Sequence, residues 1–303
     1  MTHIEKVAYR GWPACYRVSN GEVEAVVTSD IGPRIMRYAF AGGRNFLKEF
    51  EEQMGKSGEP EWQLRGGHRI WIAPEDRLKT YAPDNGPAEV RIEGGVLTAT
   101  QPVEPLTGLE KQISVAMEPA GTGVEIVHRI RNAGREPFRL APWALSMMAP
   151  GGIGIHGFPP RGTHPEMLAA AAPLVTWHFT DLSDARLSLL RKYLVLRQDP
   201  ANATPQKVGC WNAQTWAAYL LDGDLFVKRM EAHGDPSGYP DMGASFEIFT
   251  NAVMLELETL GPVRVLQPGD TAVHTERWNL YRGVRVERWD DEELDRAIGP
   301  LIK

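Results

Sequence analysis

Gly123-Val-Glu-Ile-Val-His-Arg-Ile-Arg-Asn132 places Val124, Ile126, His128 and Ile130 on one side of an extended chain and Glu125, Arg129 and Arg131 on the other. That is the period-two alternation of a half-buried strand, whereas a helix would scatter the same residues around its circumference. Asn132-Ala-Gly-Arg135 supplies turn residues before a second apolar run over 138–148, so the spacing predicts a hairpin. The same alternation recurs over 22–29, through Val23, Ala25 and Val27, and over 111–117, through Ile113, Val115 and Met117. Further strands are predicted over 90–93, 96–101, 214–221, 225–230, 245–258, 263–266 and 271–281. The 30 Gly and 23 Pro cut the chain into pieces too short for many long helices. Only three short ones are predicted, over 45–54, 183–192 and 290–298. The class is therefore all-β with a few short accessory helices.

With 303 residues, the chain can bury roughly 75% of the surface its unfolded form exposes. No internal repeat or Ser-, Gln- or Pro-rich linker divides it, so a single domain over 1–303 is expected, with a helical insertion at about 160–192 and a C-terminal tail at about 284–303. The 33 Lys plus Arg against 39 Asp plus Glu give a net charge of −6, with no basic run that would suit nucleic acid. The longest apolar stretch, 167–175, is broken by Pro173 and is far short of the ~20 residues that span a bilayer. Charged residues within 1–20 interrupt any secretory signal, so a cytoplasmic chain is expected. Cys15 and Cys210 offer no CxxC spacing and read as core thiols. Gly152-Ile-Gly-Ile-His-Gly157 matches GxGxxG, but it runs into Phe158-Pro159-Pro160 rather than a helix, so no dinucleotide site follows.

Two stretches carry candidate chemistry. Arg65-Gly-Gly-His-Arg-Ile-Trp-Ile-Ala-Pro-Glu75 gathers His68, Arg69, Trp71 and Glu75 around two glycines: an aromatic face for a sugar ring beside hydrogen-bonding groups. Met254-Leu-Glu-Leu-Glu258 places Glu256 and Glu258 on one face of a strand, where like-charge proximity and partial burial raise a carboxyl toward neutral pH. Arg186, Lys207 and Asp241 lie in loops that pair charge with aromatic residues or glycine, and the two cations suit an anionic sugar such as a uronate or phosphate.

Asp30-Ile-Gly-Pro-Arg-Ile-Met36 followed by Arg44-Asn-Phe-Leu47 resembles the opening of the galactose mutarotase (aldose 1-epimerase) superfamily. Gly66-Gly-His68 is similar to its His-Gly-Gly region, Arg129-Ile-Arg-Asn132 to a strand ending in Thr-Asn, Leu255-Glu-Leu-Glu258 to the strand bearing its catalytic glutamate, and Leu266-Gln-Pro-Gly-Asp270 with Trp278 to its closing stretch. The resemblance spans residues 22 to 282. It implies a β-supersandwich of two mainly antiparallel sheets, and a small-molecule carbohydrate as partner. It also implies general acid–base chemistry without metal or organic cofactor, in which Glu256 or Glu258 is the base and His68 a site histidine. Arg34, Arg69, Trp71, Glu75, Trp143, Arg186, Lys207 and Asp241 are the residues expected to bind substrate. The block that carries the family's second histidine falls at Leu140-Ala-Pro-Trp-Ala-Leu-Ser146, which has none, and Trp143 there can stack but not protonate a ring oxygen. His128, on an apolar face, reads as a core residue. An aldose mutarotase or epimerase acting as a monomer or homodimer is the leading expectation. A binding protein that lost the chemistry, and a glycoside hydrolase or lyase using two opposed carboxylates, are the alternatives.

Overall fold

The computed structural model describes residues 2–302. Among them the first strands are β1 (His3–Tyr9), β2 (Trp12–Ser19), β3 (Val23–Thr28), β4 (Ile35–Phe40) and β5 (His68–Ala73). There follow β6 (Glu89–Glu93), β7 (Val96–Thr100), β8 (Leu109–Met117), β9 (Val124–Asn132), β10 (Phe138–Met148) and β11 (Ile153–Gly157). Short strands β12 (Leu174–Thr176) and β13 (Leu187–Leu189) precede β14 (Tyr193–Arg197), β15 (Gln206–Cys210), β16 (Gln214–Leu221) and β17 (Asp224–Glu231). The series closes with β18 (Phe246–Thr250), β19 (Leu255–Leu260), β20 (Arg264–Leu266), β21 (Thr271–Tyr281) and one helix, α1 (Asp291–Ala297). Among the described residues no helix is long and apolar enough to cross a membrane.

These strands form two sheets in which the described ladders are antiparallel. One runs β1-β2-β3-β4-β5-β10-β19-β18-β15-β12, with β20 also on β10; the other runs β13-β14-β11-β16-β17-β21-β9-β8-β7-β6. Their inner faces share one core, to which Val27, Ile72 and Leu257 contribute from the first sheet and Ile113, Ile126 and Trp278 from the second. Each fully buried aliphatic side chain there contributes about 1.5–3 kcal/mol. Cys15 and Cys210 are both buried thiols.

Several expectations need correction. The 123–148 segment is no hairpin: β9 pairs with β8 and β21, while β10 pairs with β5, β19 and β20, so the Asn132 turn carries the chain from one sheet to the other. Asn132 makes that crossing, its amide donating to the carbonyls of Glu136 and Leu266. The 245–258 run is two strands, turned where the Asn251 side chain accepts from the amides of Val253 and Met254. No helix forms over 45–54, because Leu47 and Glu49 bridge to Met148 and Gly66 and hold the chain extended, leaving a single 3₁₀ turn at Glu51–Gln53. Nor is there a helix anywhere in 160–192, where β12 and β13 form instead. Asp181 and Asp184 use their carboxylates on the amides of Ser183 and Arg186, in local turns that compete with helix. The helix expected at 290–298 is α1, capped by Asp290 accepting from the Glu293 amide. The C-terminal stretch from residue 284 packs on the second sheet. Val284, Leu294 and Ile298 are buried against Ile155, Val195 and Val227 on the outer face of the second sheet; Lys303 lies outside the described residues.

The turn entering β5 is built on glycine. Gly66 has φ +96°, and a Cβ there would lie 2.1 Å from the Lys48 carbonyl oxygen. Gly66→Ala is therefore expected to cost about 2–5 kcal/mol, read as a lower denaturant midpoint, from positive-φ strain plus a backbone clash. An unchanged midpoint would contradict this account of the turn.

Candidate functional site

Alternation along five adjacent strands decides which groups meet. In β5, His68, Ile70 and Ile72 point into the inter-sheet core and Arg69 and Trp71 to the outer face; in β19, Leu255 and Leu257 point in and Glu256 and Glu258 out. Register then aligns the outward residues. Arg69 lies opposite Leu145 on β10, Leu145 opposite Glu258, Glu258 opposite Glu247 on β18, while Phe249 sits between Glu256 and Lys207 of β15. Of the expected residues, Glu256, Glu258, Arg69, Trp71, Trp143 and Lys207 thus share one face, and Asp241 reaches it through Glu247. Glu75 stands at the rim, its carboxylate accepting from Tyr81, whose ring packs on Trp71.

The charges on this face are arranged unequally. Lys207 Nζ lies 2.7 Å from Glu247 Oε2 and 2.9 Å from Glu258 Oε2, and the Trp143 indole donates to the same Glu258 oxygen at 2.8 Å. Burial alone would lower the Lys207 pKa, but Glu247 and Glu258 hold the ammonium charged and push it up. Glu256 has no such cation in contact. Burial, with Glu258 beside it, pushes its carboxyl up to about 7. Burial also raises Glu247 well above the carboxylate range, against Lys207 and with Glu258 and Asp241, and it raises Asp241. Five buried polar atoms here have no protein partner: Trp62 Nε1, Arg69 Nε and Nη2, Glu247 Oε1 and Glu258 Oε1. Buried polar atoms are otherwise almost always paired, so such a concentration singles this face out as the candidate site.

Three expected residues lie elsewhere. His68 is 0% exposed on the opposite side of β5 from Arg69, its Nδ1 at 2.9 Å from Ser146 Oγ and its Nε2 at 2.7 Å from His128 Nε2. Arg34 pairs with Asp84 at 2.9 Å and donates to the carbonyls of Gln63 and Leu64, so it pins the loop that leads into β5. Arg186 pairs with Asp184 at 2.7 Å beside a separate hollow of 720 Å³ that also holds Arg197 and Asp199.

His68 belongs to a polar cluster sealed between the sheets. The His274 carbonyl can only accept, so His128 Nδ1 carries a proton, His128 Nε2 accepts from His68 Nε2, and His68 Nδ1 accepts from Ser146. Lys228 Nζ reaches Ser146 at 3.3 Å and Glu276 Oε1 at 2.8 Å; Trp278 Nε1 and Thr259 donate to the same carboxylate. Burial lowers the pKa of His68, and of His128 and His274, keeping the imidazoles neutral. Burial would raise Glu276, but Lys228 and the histidines hold it low. His68, His128 and Glu276 place ligand-type atoms within 4.8 Å of one another. The set is nonetheless complete without an ion, since each ring nitrogen between His68 and His128 already has its partner. A divalent cation would add two charges to a buried group in which Lys228 already balances the one carboxylate.

The residues that sequence reasoning missed on the outer face are Glu247, Trp62, Tyr81 and Trp177. Glu247 shares its strand face with Phe249 alone, and reading 245–258 as one strand hid it. Trp177 lies over Gly209, where a Cβ would meet its ring at 3.1 Å.

No protein-family model matches the sequence, and no curated protein matches it. Solved structures do. Slr1438 from Synechocystis sp. PCC 6803 superposes with a TM-score of 0.59 at 12% identity, over 92% of this chain and 99% of its own. A galactose mutarotase related enzyme from Lactobacillus acidophilus gives 0.55 at 10% identity, over 89% and 98%. A galactose mutarotase-like protein from Lactobacillus casei gives 0.52 at 11%, over 88% and 100%. The chain has the galactose mutarotase fold. Within that fold, the outward face of β5, β10, β19, β18 and β15, with Trp62 stacked beside it, carries five of the eight buried unpaired polar side-chain atoms found among the described residues.

Proposed function

We propose that the protein binds a sugar on this face and interconverts its anomers by general acid–base catalysis, with Glu256 as the base. The observation that carries the reading is the contrast between two neighbouring glutamates: Glu258 is tied to Lys207 and Trp143, while Glu256 is free of ion pairs and held at about 7. A base works best when its pKa lies near the working pH. Glu247 is the acid. Burial raises its carboxyl well above its ordinary value and so favours the proton-bearing form, Oε1 has no partner, and cross-strand geometry sets it diagonally from Glu256 at roughly 7 Å between Cβ atoms.

The steps balance. Glu256 takes the proton of the anomeric hydroxyl, the C1–ring-oxygen bond breaks, and Glu247 gives its proton to the ring oxygen. The aldehyde turns about C1–C2, and ring closure returns both protons. The carboxyl of Glu247 thus takes the part an imidazolium would play, and every described histidine of the buried cluster stays out of the chemistry. Trp71 and Trp143, whose rings meet edge to face at 5.3 Å, supply flat apolar surface.

The test is anomerisation of freshly dissolved α-hexoses and α-hexuronates followed by NMR. Glu256→Gln is expected to lose about 10²–10⁴ of the rate. In the parent protein the rate should rise with pH through about 7, as Glu256 becomes ionised. Saturable binding with no acceleration of any of these sugars would refute the catalytic reading and leave a binding protein.

A further inference from the structure

Arg69 differs from the other cations of the site. Its guanidinium lies 4.0 Å from the centroid of the Trp71 ring and 4.7 Å from that of Trp62, so two indoles fix its plane. Nη1 donates to the Leu64 carbonyl at 3.1 Å, which fixes rotation within that plane. What remains is the edge formed by Nε and Nη2, both buried, both without a partner, on a residue only 2% exposed. Among the described residues Arg69 makes no ion pair, whereas Lys207 has two and Arg34 and Arg186 have one each. Glu256 and Asp84 act on this buried cation only through space, with no carboxylate in contact, and the Nε–Nη2 edge presents two parallel donors at the spacing of two carboxylate oxygens.

We propose that Arg69 receives the carboxylate of an acidic sugar, so that the ligand is a uronate rather than a neutral hexose. The inference rests on the carbohydrate reading above and narrows it. A hydroxyl would satisfy one of the two N–H groups and leave the charge unmatched. A phosphate dianion would bring a second negative charge to a face that already carries Glu247, Glu256, Glu258 and Asp241 and has one unpaired cation. The unpartnered Oε1 of Glu258 then accepts from a hydroxyl on the same ring, while Glu247 faces the ring oxygen.

Calorimetric titration at pH 7.5 and fixed ionic strength tests this with D-glucuronate, D-galacturonate, D-glucose, D-galactose and glucose 6-phosphate. The uronates are expected to bind at least tenfold more tightly than the matching hexoses. Arg69→Lys, which keeps the charge and loses the fork, should cut the ratio of uronate to hexose affinity about tenfold or more. Hexoses bound as tightly as uronates would overturn the carboxylate assignment and leave the sugar reading standing, and so would glucose 6-phosphate bound more tightly than either uronate. Failure of all five ligands to bind would sink both. Should Arg69→Lys not fold, as judged by near-ultraviolet circular dichroism, the ligand ranking on the parent protein decides alone.

Discussion

At pH 8 the Glu256→Gln variant is expected to be more stable than the parent protein by up to about 3 kcal/mol, and at pH 4.5 to match it. Burial and Glu258 raise the folded-state pKa of Glu256 to about 7, against an ordinary value of 4.5 in the unfolded chain. The folded protein therefore binds more protons than the unfolded chain between those two values, and stability falls as pH rises through the interval, by about 1.4 kcal/mol per pH unit. Above the folded pKa the whole penalty is present; below 4.5 both states are protonated and it vanishes. Gln keeps the shape of the protonated acid and never ionises. His156 and His274, held at about 3 by burial, weaken the fold as pH drops, but equally in both proteins, so they cancel from the difference. Urea denaturation at pH 4.5, 6 and 8 reads the effect. A difference that does not change with pH, or a variant less stable at pH 8, would show that Glu256 is not held protonated by its surroundings. Together with lost anomerisation, the expected result identifies a carboxyl retained for chemistry at the expense of stability.

How much of this was legible before the structure depends on the residue. The pairing of Glu256 with Glu258 follows from alternation and stands. Arg69 and Trp71 were correctly grouped, but His68 was grouped with them although the same period-two rule puts it with Ile70 and Ile72. All six residues of β5 are buried, so burial on both faces masked a signal that was present in the sequence. The core reading of His128 follows from Val124, Ile126 and Ile130, which share its face. Its partner His68 lies 60 residues away on the other sheet, a contact that no local pattern encodes. The hairpin at 123–148 failed for the same reason: turn chemistry marks where a chain reverses and not which sheet receives it. Arg34 and Arg186 looked like ligand groups because arginine beside glycine or aspartate has no local mark that separates binding an anion from pinning a loop. Asp84 and Asp184, which occupy them, decide the matter.

Glu276→Gln is expected to destabilise the protein by about 3–5 kcal/mol, whereas the double variant Lys228→Met with Glu276→Leu should recover most of that loss. The Glu276 carboxylate accepts from Lys228 at 2.8 Å, from Trp278 at 2.8 Å and from Thr259, in a site where both charged side chains are 0% exposed. An amide leaves the Lys228 ammonium uncompensated in the core and turns donors toward donors. Removing both charges with side chains of similar size takes away the desolvation cost along with the attraction. In the single variant burial depresses the folded-state pKa of Lys228 below its unfolded value, so the unfolded chain binds the extra proton and stability must rise with pH. Urea midpoints from pH 6 to 10 should climb for Glu276→Gln and show no such climb for the double variant. A double variant as unstable as the single one would mean that Trp278, Thr259 and Ser146, rather than the Lys228 charge, set the requirement for a carboxylate. The consequence reaches the outer face of the same sheet. His68 and Ser146, which this cluster holds, lie on the reverse side of the strands that present Arg69 and Leu145, so the buried cluster and the outward groups share the same two backbones.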